Sequence, residues 1–208
     1  MNDSPVTFNV QRPESFDRVH IMLRLAILVA ISVLAAFAWL LALIYLVLPI
    51  VTAAFASRSG SGEAFMKDEA PRLKKWIHWV ASADAYMTLL TDKIPSNGPE
   101  ESSSFDVQYS GSPTTGSALL RLVTSIPIAL YLVVLGIVAS ITAIVAAVII
   151  LFTEDYPDAL YGFHTAVVRK FARMLAYHAS LTDVYPGFGL DTEYQSAPAA
   201  SPTVDQPV

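Results

Sequence analysis

Two long stretches without a charged residue constrain this chain more than any other feature of its sequence. The first covers residues 25–56 and the second covers residues 122–153. Each is far longer than the ~18 consecutive apolar residues that indicate a membrane-spanning helix. The composition agrees, because only 15% of the residues are charged, against ~25% in ordinary soluble domains. We therefore expect an all-α integral membrane protein whose first partner is the lipid bilayer.

The chain also repeats itself. AYMTLLTDKIP at 85–95 returns as AYHASLTDVYP at 176–186, and FNVQ at 8–11 returns as FDVQ at 105–108. Self-similarity over so long a period indicates two copies of one structural unit. The tail has too little apolar content to fold alone. We expect a first membrane repeat at 1–95, a linker at 96–118 that contains the start of the second copy (105–108), a second membrane repeat at 119–191 and a disordered tail at 192–208.

Both copies have the same order of parts. A short segment with alternating Phe and Val, which suits a short strand, precedes the long apolar stretch, and an amphipathic helix follows it. At 100° per residue, the apolar stripe of the second such helix collects Leu160, Phe163, Val167, Phe171, Met174 and His178, and that of the first collects Leu73, Trp76, Ile77, Val80, Asp84 and Met87. Such a helix suits the membrane interface; packing against the repeat's own long helix is the alternative.

The repeated LTDxxP motif predicts the end of each amphipathic helix. Thr and Asp side chains bond to nearby backbone groups and favour turns, and the proline three residues after the Asp does not continue a helix. The residues concerned are Thr91, Asp92 and Pro95 in the first copy and Thr182, Asp183 and Pro186 in the second.

The length of the apolar stretches leaves their topology open. A helix of 32 residues would be ~48 Å long, against ~30 Å of hydrocarbon. A tilted helix, a compressed helical hairpin, and a wedge that enters and leaves by one face are the alternatives. Basic residues follow both stretches, so the positive-inside rule places both amphipathic helices in the cytoplasm. Because two homologous helices on one face require an even number of crossings, the hairpin is favoured.

Small residues in the second stretch have the spacing of close helix contacts. Gly136 pairs with Ser140 and Ala143 with Ala147 at intervals of four residues. Such pairs let helix backbones approach closely in lipid. The abundance of alanine makes chance an equal explanation.

Motifs of known chemistry are missing from the sequence. The chain has no cysteine and no phosphate-binding, dinucleotide-binding, metalloprotease or nucleophile-elbow motif. We therefore predict no catalytic residue, no cofactor, no metal and no nucleic-acid partner. Asp84 and His178 interrupt the two apolar stripes at related places. Packing of the two helices about a pseudo-twofold axis would let these two residues form a charge-assisted hydrogen bond.

Three segments of the second copy resemble a known family. They are IPIALYLVVLG (126–136), ILFTEDYPDALYGF (150–163) and VVRKFARMLAYHASLTDVYPGFGLD (167–191). They resemble the bacterial membrane family catalogued as domain of unknown function 4389. The first copy departs from this pattern, with ASRSGSG in place of the Tyr-Pro turn and Ile94 in place of the tyrosine before the proline. The resemblance implies a bacterial integral membrane protein, located in the inner membrane, and implies no catalytic residues.

These observations favour a non-enzymatic protein. We expect an accessory or scaffold subunit that packs beside a larger membrane complex, with a membrane protein or further copies of itself as partner. Membrane shaping by bilayer wedging, by analogy with reticulon-like proteins, is the second interpretation. A small-solute or ion channel formed by oligomers is the third.

Overall fold

The computed structural model describes residues 18–96, 98, 103–110 and 112–190. This part of the chain forms six helices and no strand. They are α1 (Arg18–Ser59), α2 (Gly62–Asp68), α3 (Ala70–Met87), α4 (Thr115–Thr124), α5 (Ile126–Thr153) and α6 (Asp158–His178). The prediction of an all-α fold is confirmed. The first Phe-x-Val segment and the predicted tail lie outside the described residues.

Each apolar stretch contains one long helix. The prediction of a hairpin inside each stretch is therefore wrong. The first stretch lies within α1, which has 42 residues and passes through Pro49 without a break. The second is dominated by the 28 residues of α5. Segments Ala38–Ser59 and Ile126–Thr153 are long and apolar enough to cross a membrane. The stretches do not turn because they lack the clustered Gly, Asn, Asp and Ser residues with which a tight turn satisfies its backbone.

A bend at Ser125 separates α4 from α5. Thr114 begins α4 with a capping box, in which its hydroxyl accepts a hydrogen bond from the backbone of Ser117 and the Ser117 side chain pairs with the backbone of Thr114. Pro127 lies in the first turn of α5, where its missing N–H removes no helical hydrogen bond. The polar start of the second apolar stretch thus becomes a separate short helix.

α5 and α6 form an antiparallel pair. His178, the last residue of α6, lies 2.8 Å from the hydroxyl of Ser125 at the beginning of α5. His164, near the other end of α6, lies 2.9 Å from the hydroxyl of Thr142. Both ends of α6 therefore contact α5, and α6 packs along the long helix that precedes it. This arrangement is the alternative to the interfacial position predicted from the sequence.

α3 covers the opposite side of α6, also in antiparallel order. Leu73 and Ile77 share a buried cluster with Leu175 near the end of α6. At the far end of α3, the carbonyl of Thr88 accepts a hydrogen bond from Tyr156, which precedes α6, at 3.2 Å. The structure is thus layered in the order α5, α6, α3. The C-terminal half of α1 joins it beside α4 and α6.

Residues 103–110 run along α3 without forming a strand. Phe105 and Val107 pack against the buried cluster, whereas Ser104 and Asp106 are exposed. Asp106 accepts a hydrogen bond from Lys74 at 2.6 Å, which raises the pKa of the lysine and lowers that of the carboxylate. The alternation expected of an extended segment is present, but the described residues contain no second strand to pair with it.

The main core lies where α1, α2, α3 and α6 meet. Its largest side chains, Phe65, Ile77, Leu175 and Leu181, are fully buried. Burial of a side chain of this size stabilises the fold by ~1.5–3 kcal/mol. Leu181 belongs to the second LTDxxP motif, so the segment after α6 is held in the core rather than released into solvent.

Candidate functional site

The two LTDxxP motifs follow helix ends of the same geometry. α3 ends at Met87 and α6 at His178, three residues before the leucine of each motif. Leu89 (φ 64°) and Ser180 (φ 55°) then take the left-handed conformation. The next residue in each copy donates its backbone N–H back into the last turn, from Leu90 to Ala85 at 2.9 Å and from Leu181 to Ala176 at 3.0 Å. This is a Schellman ending.

The predicted motif residues lie just beyond that ending and shape the exit from it. The hydroxyls of Thr91 and Thr182 each accept a hydrogen bond from the backbone N–H two residues later, both at 3.2 Å. Pro95 and Pro186 are buried in both copies. The motif therefore controls the turn after the helix, and the left-handed residue that stops each helix is one that the motif analysis missed.

Arg121 of α4 clamps the second motif. This arginine is 6% exposed, and its guanidinium donates hydrogen bonds to the carbonyls of Tyr177 and Thr182 and to the carboxylate of Asp183. It also lies over the Tyr177 ring, 4.5 Å from its centroid. Arginine suits this place because its planar fork can serve several acceptors at once.

Among the described residues, the clamp is present at the second LTDxxP motif only. Asp183 pairs with Arg121, whereas its counterpart Asp92 is exposed and belongs to no ion pair among the described residues. Arg24 is the sequence counterpart of Arg121, and its side chain lies outside the described part of the chain. The sequence offered one signal for the clamp, namely that an arginine directly precedes an apolar stretch free of charge.

The predicted pairing of Asp84 with His178 does not form. His178 Nδ1 donates to the carbonyl of Tyr45 at 3.2 Å, which leaves Nε2 to accept from the hydroxyl of Ser125 at 2.8 Å. Burial lowers the pKa of His178 to about 4, so this imidazole is neutral. Because α3 and α6 are antiparallel, Asp84 lies toward the opposite end of the pair. Helical angle alone did not reveal this relative direction.

Asp84 is buried at 7% exposure on the face of α3. Desolvation raises the pKa of its carboxyl to about 7. A buried carboxylate without a charged partner is unfavourable. The free energy of unfolding therefore depends on pH through this group.

A second polar cluster joins α5, α6 and the end of α3. His164 is fully buried, with Nε2 3.1 Å from the carbonyl of Ala139, and burial lowers its pKa. The hydroxyl of Tyr156 lies within hydrogen-bond distance of both His164 Nδ1 and the Thr88 carbonyl, and burial raises its pKa to about 12. Sequence reasoning did not find this cluster, since its members are distant in sequence and match no motif.

The predicted small-residue contacts are only partly on the buried face of α5. Ala143 is 4% exposed, and Ala139 and Ala146 extend the same face. Ala147 is exposed, and no neighbouring helix lies within 4 Å of the position that a Cβ on Gly136 would take. Ser140 bonds to the Gly136 carbonyl of its own helix at 2.8 Å. The contact face of α5 is therefore rotated from the predicted one, because α6 packs against the alanine stripe formed by Ala139, Ala143 and Ala146.

These polar groups link one helix to another by hydrogen bonds. Ser125 and His178 have the spacing of a nucleophile and its base, but both are fully buried, and the other histidine nitrogen faces a backbone carbonyl. Over the described ranges, no group of three His, Asp or Glu side chains is placed to hold a metal ion.

Comparison with known protein families gives a match in the second half of the chain. No curated protein and no solved structure matches it. The matched family is described only as a domain of unknown function (DUF4389). Its model spans the Arg121 clamp, the bend at Ser125 and all of α5 and α6. Residues 116–189 match the model of the DUF4389 family, and this match confirms the resemblance predicted from the sequence.

Proposed function

We propose that the protein is a non-enzymatic integral membrane protein that serves as an accessory or scaffold subunit of a larger membrane complex. The observation that carries this proposal is the outer face of α5. It presents large apolar side chains that are 42–81% exposed: Ile126, Leu130, Val133, Val134, Ile137, Val138, Ile141, Val145, Val148, Leu151 and Phe152. Water-soluble monomers rarely expose a continuous apolar surface of this extent.

The two faces of α5 support a contact role. The inner face is built from small residues such as Ala139 and Ala143, which allow α6 to approach closely. The outer face bears branched aliphatic side chains and no ionisable group. Such a face gains free energy by contact with acyl chains or with an apolar helix of another subunit. The basic residues beyond the apolar stretches favour a cytoplasmic position for the helices that follow them.

Photo-crosslinking within intact membranes tests the subunit proposal. A photoreactive amino acid replaces Leu43 or Leu46, which lie on the exposed apolar side of α1, and Ile137 on the outer face of α5 serves as the control. We expect one protein adduct of defined mass from the α1 positions, and adducts with lipid from Ile137. Adducts with lipid alone from both α1 positions would contradict the subunit role.

Bilayer wedging is the second candidate, and the layer order favours it. The apolar face of α5 lies on one side of α6, while α3 and the polar residues 103–110 lie on the other. A body that is apolar on one side displaces lipid unevenly. Purified protein added to liposomes is expected to narrow or tubulate them, as seen by electron microscopy. The variant Ile137→Asn/Val145→Asn should lose this effect, and liposomes that keep their shape with unmodified protein would refute wedging.

The third interpretation, an oligomeric channel, gains no support from the described residues. A pore lined by the outer face of α5 would be lined by aliphatic side chains. Solute or ion flux in proteoliposomes is the measurement that would restore it.

A further inference from the structure

We propose that α5 lies along one leaflet of the membrane, with its outer face toward the acyl chains, and does not cross the bilayer. The occupant of that face is therefore lipid of a single leaflet. This proposal rests on the membrane insertion stated under the proposed function, and it is independent of the subunit role.

The first argument is the depth of α6. Its contacts with Ser125 at one end and Thr142 at the other fix the alignment with α5. Arg169 and Arg173 lie between those contacts, ~8–14 Å along the helix from the level of Ser125. They are therefore level with an apolar part of α5. If α5 stood upright from Ile126, both arginines would be carried to hydrocarbon depth, where a charged side chain is strongly unfavourable.

The second argument is the irregular backbone on the outside of α3. The residues from Ser103 to Ser110 begin beside His78 and Ser82 and end beside Thr182. They share the depth of the first turns of α5, and they expose polar side chains such as Asp106 and Gln108. Irregular backbone exposed to lipid is not tolerated within the hydrocarbon core. An upright α5 would place it there.

The third argument is length. The 28 residues of α5 extend ~42 Å, against ~30 Å of hydrocarbon. An in-plane helix has no such mismatch. It also leaves α6, α3 and residues 103–110 on the aqueous side, where their charges remain hydrated. The even number of crossings required by the two basic helices is then met by the second repeat without a hairpin inside the apolar stretch.

Cysteine accessibility provides the first test, because the natural chain has no cysteine. The variant Asp155→Cys reports the turn between α5 and α6, and Ser104→Cys reports the segment outside α3; both positions are exposed. An impermeant maleimide is applied to right-side-out and to inside-out membrane vesicles. We expect both variants to be labelled in the same vesicle type. Labelling of the two variants in opposite vesicle types would overturn the proposal.

Depth measurement provides the second test. A fluorophore is attached in turn to Leu130→Cys, Ile137→Cys and Val148→Cys, which share one face of α5 and are 65%, 57% and 52% exposed. Spin-labelled lipids then report the depth of each probe in proteoliposomes. In-plane seating predicts three depths that agree within a few ångströms, whereas an upright helix predicts a spread set by ~27 Å of helix length. Probes that no spin-labelled lipid quenches would show protein rather than lipid on this face, and would also overturn the proposal.

A further measurement separates two outcomes: a chain that does not insert into the membrane, and a chain that inserts but whose α5 does not lie in the membrane plane. Alkaline carbonate extraction releases proteins that are only attached to the membrane surface. Recovery of the chain in the carbonate supernatant would contradict insertion itself, and with it the proposed function. Retention in the pellet together with opposite labelling of the two variants would overturn only the in-plane seating.

Discussion

Leu89 and Ser180 occupy the same left-handed position after α3 and α6, with φ angles of 64° and 55°. The preceding residues donate matching hydrogen bonds, from Thr88 to the Asp84 carbonyl and from Ala179 to the Leu175 carbonyl. The two LTDxxP segments are therefore alike in helix-end geometry as well as in sequence. Neither position holds glycine, the residue that adopts this conformation without steric strain.

Glycine at these two positions is expected to stabilise the protein. The left-handed conformation is unfavourable for other residues by ~1–2 kcal/mol, partly offset by the greater freedom of glycine in the unfolded chain. Leu89→Gly should raise the free energy of unfolding by about 1 kcal/mol. Ser180→Gly should gain more, since it also removes a buried hydroxyl without a hydrogen-bond partner. Thermal unfolding in detergent micelles measures both, and Ala179→Gly, at an ordinary helical φ of −74°, should destabilise.

Loss of the Arg121 clamp is expected to be severe. Arg121→Ala leaves the carbonyls of Tyr177 and Thr182 without their donor, and each buried acceptor left without a hydrogen bond destabilises by ~1–3 kcal/mol. Arg121→Lys should recover only part of this, because an ammonium lacks the planar fork. Denaturant titration followed by circular dichroism gives the values.

Removing the carboxylate at the exposed end of the clamp should reduce stability less than removing Arg121. Asp183 is 58% exposed at its side chain, so Asp183→Asn should reduce stability by about 1 kcal/mol or less. Asp92→Asn provides the matched control from the first copy and should be neutral within ~0.5 kcal/mol. Equal effects of the two substitutions would show that the clamp does not distinguish the copies.

The alanine stripe of α5 can be tested by enlarging one residue at a time. Ala143→Leu should press into α6 and destabilise the protein by ~1–3 kcal/mol. Ala147→Leu, one turn later on an exposed part of the helix, should change stability by less than ~0.5 kcal/mol. Thermal midpoints of the two variants in the same detergent compare them directly, and a reversed order would place the contact face of α5 where the spacing of small residues first suggested it.

Asp84 predicts a pH dependence of stability. Its folded pKa of about 7 lies above the usual 3.8, so the folded state binds the proton more tightly than the unfolded state does. This group's contribution is therefore present below pH ~4 and is lost as the pH rises toward 7. Asp84→Asn should stabilise the protein at pH 8, by an amount on the order of 4 kcal/mol at most. The difference should shrink toward zero near pH 4. Unfolding at several pH values measures it, and a difference that does not vary with pH would contradict the raised pKa.

Local patterns in the sequence determined the helices and their ends. The charge-free stretches became α1 and α5 because apolar residues without turn formers continue a helix. The amphipathic stripes became α3 and α6, and the LTDxxP motifs marked where these helices stop, within a few residues. The family resemblance rested on the same local features. All of these depend on residues within one or two helical turns of each other, so periodicity and spacing are sufficient to read them.

Only the tertiary structure decided how the helices meet. The antiparallel order of α3 and α6 separated Asp84 from His178, and the rotation of α5 placed Ala143 in the contact and Ala147 outside it. His178 forms hydrogen bonds with Ser125 and Tyr45, and Arg121 forms one with Asp183. The partners are 53 to 133 residues apart in the sequence. Such pairs depend on the relative direction, rotation and axial alignment of whole helices. Those quantities come from the packing of many side chains together, and no single stretch of the sequence contains them.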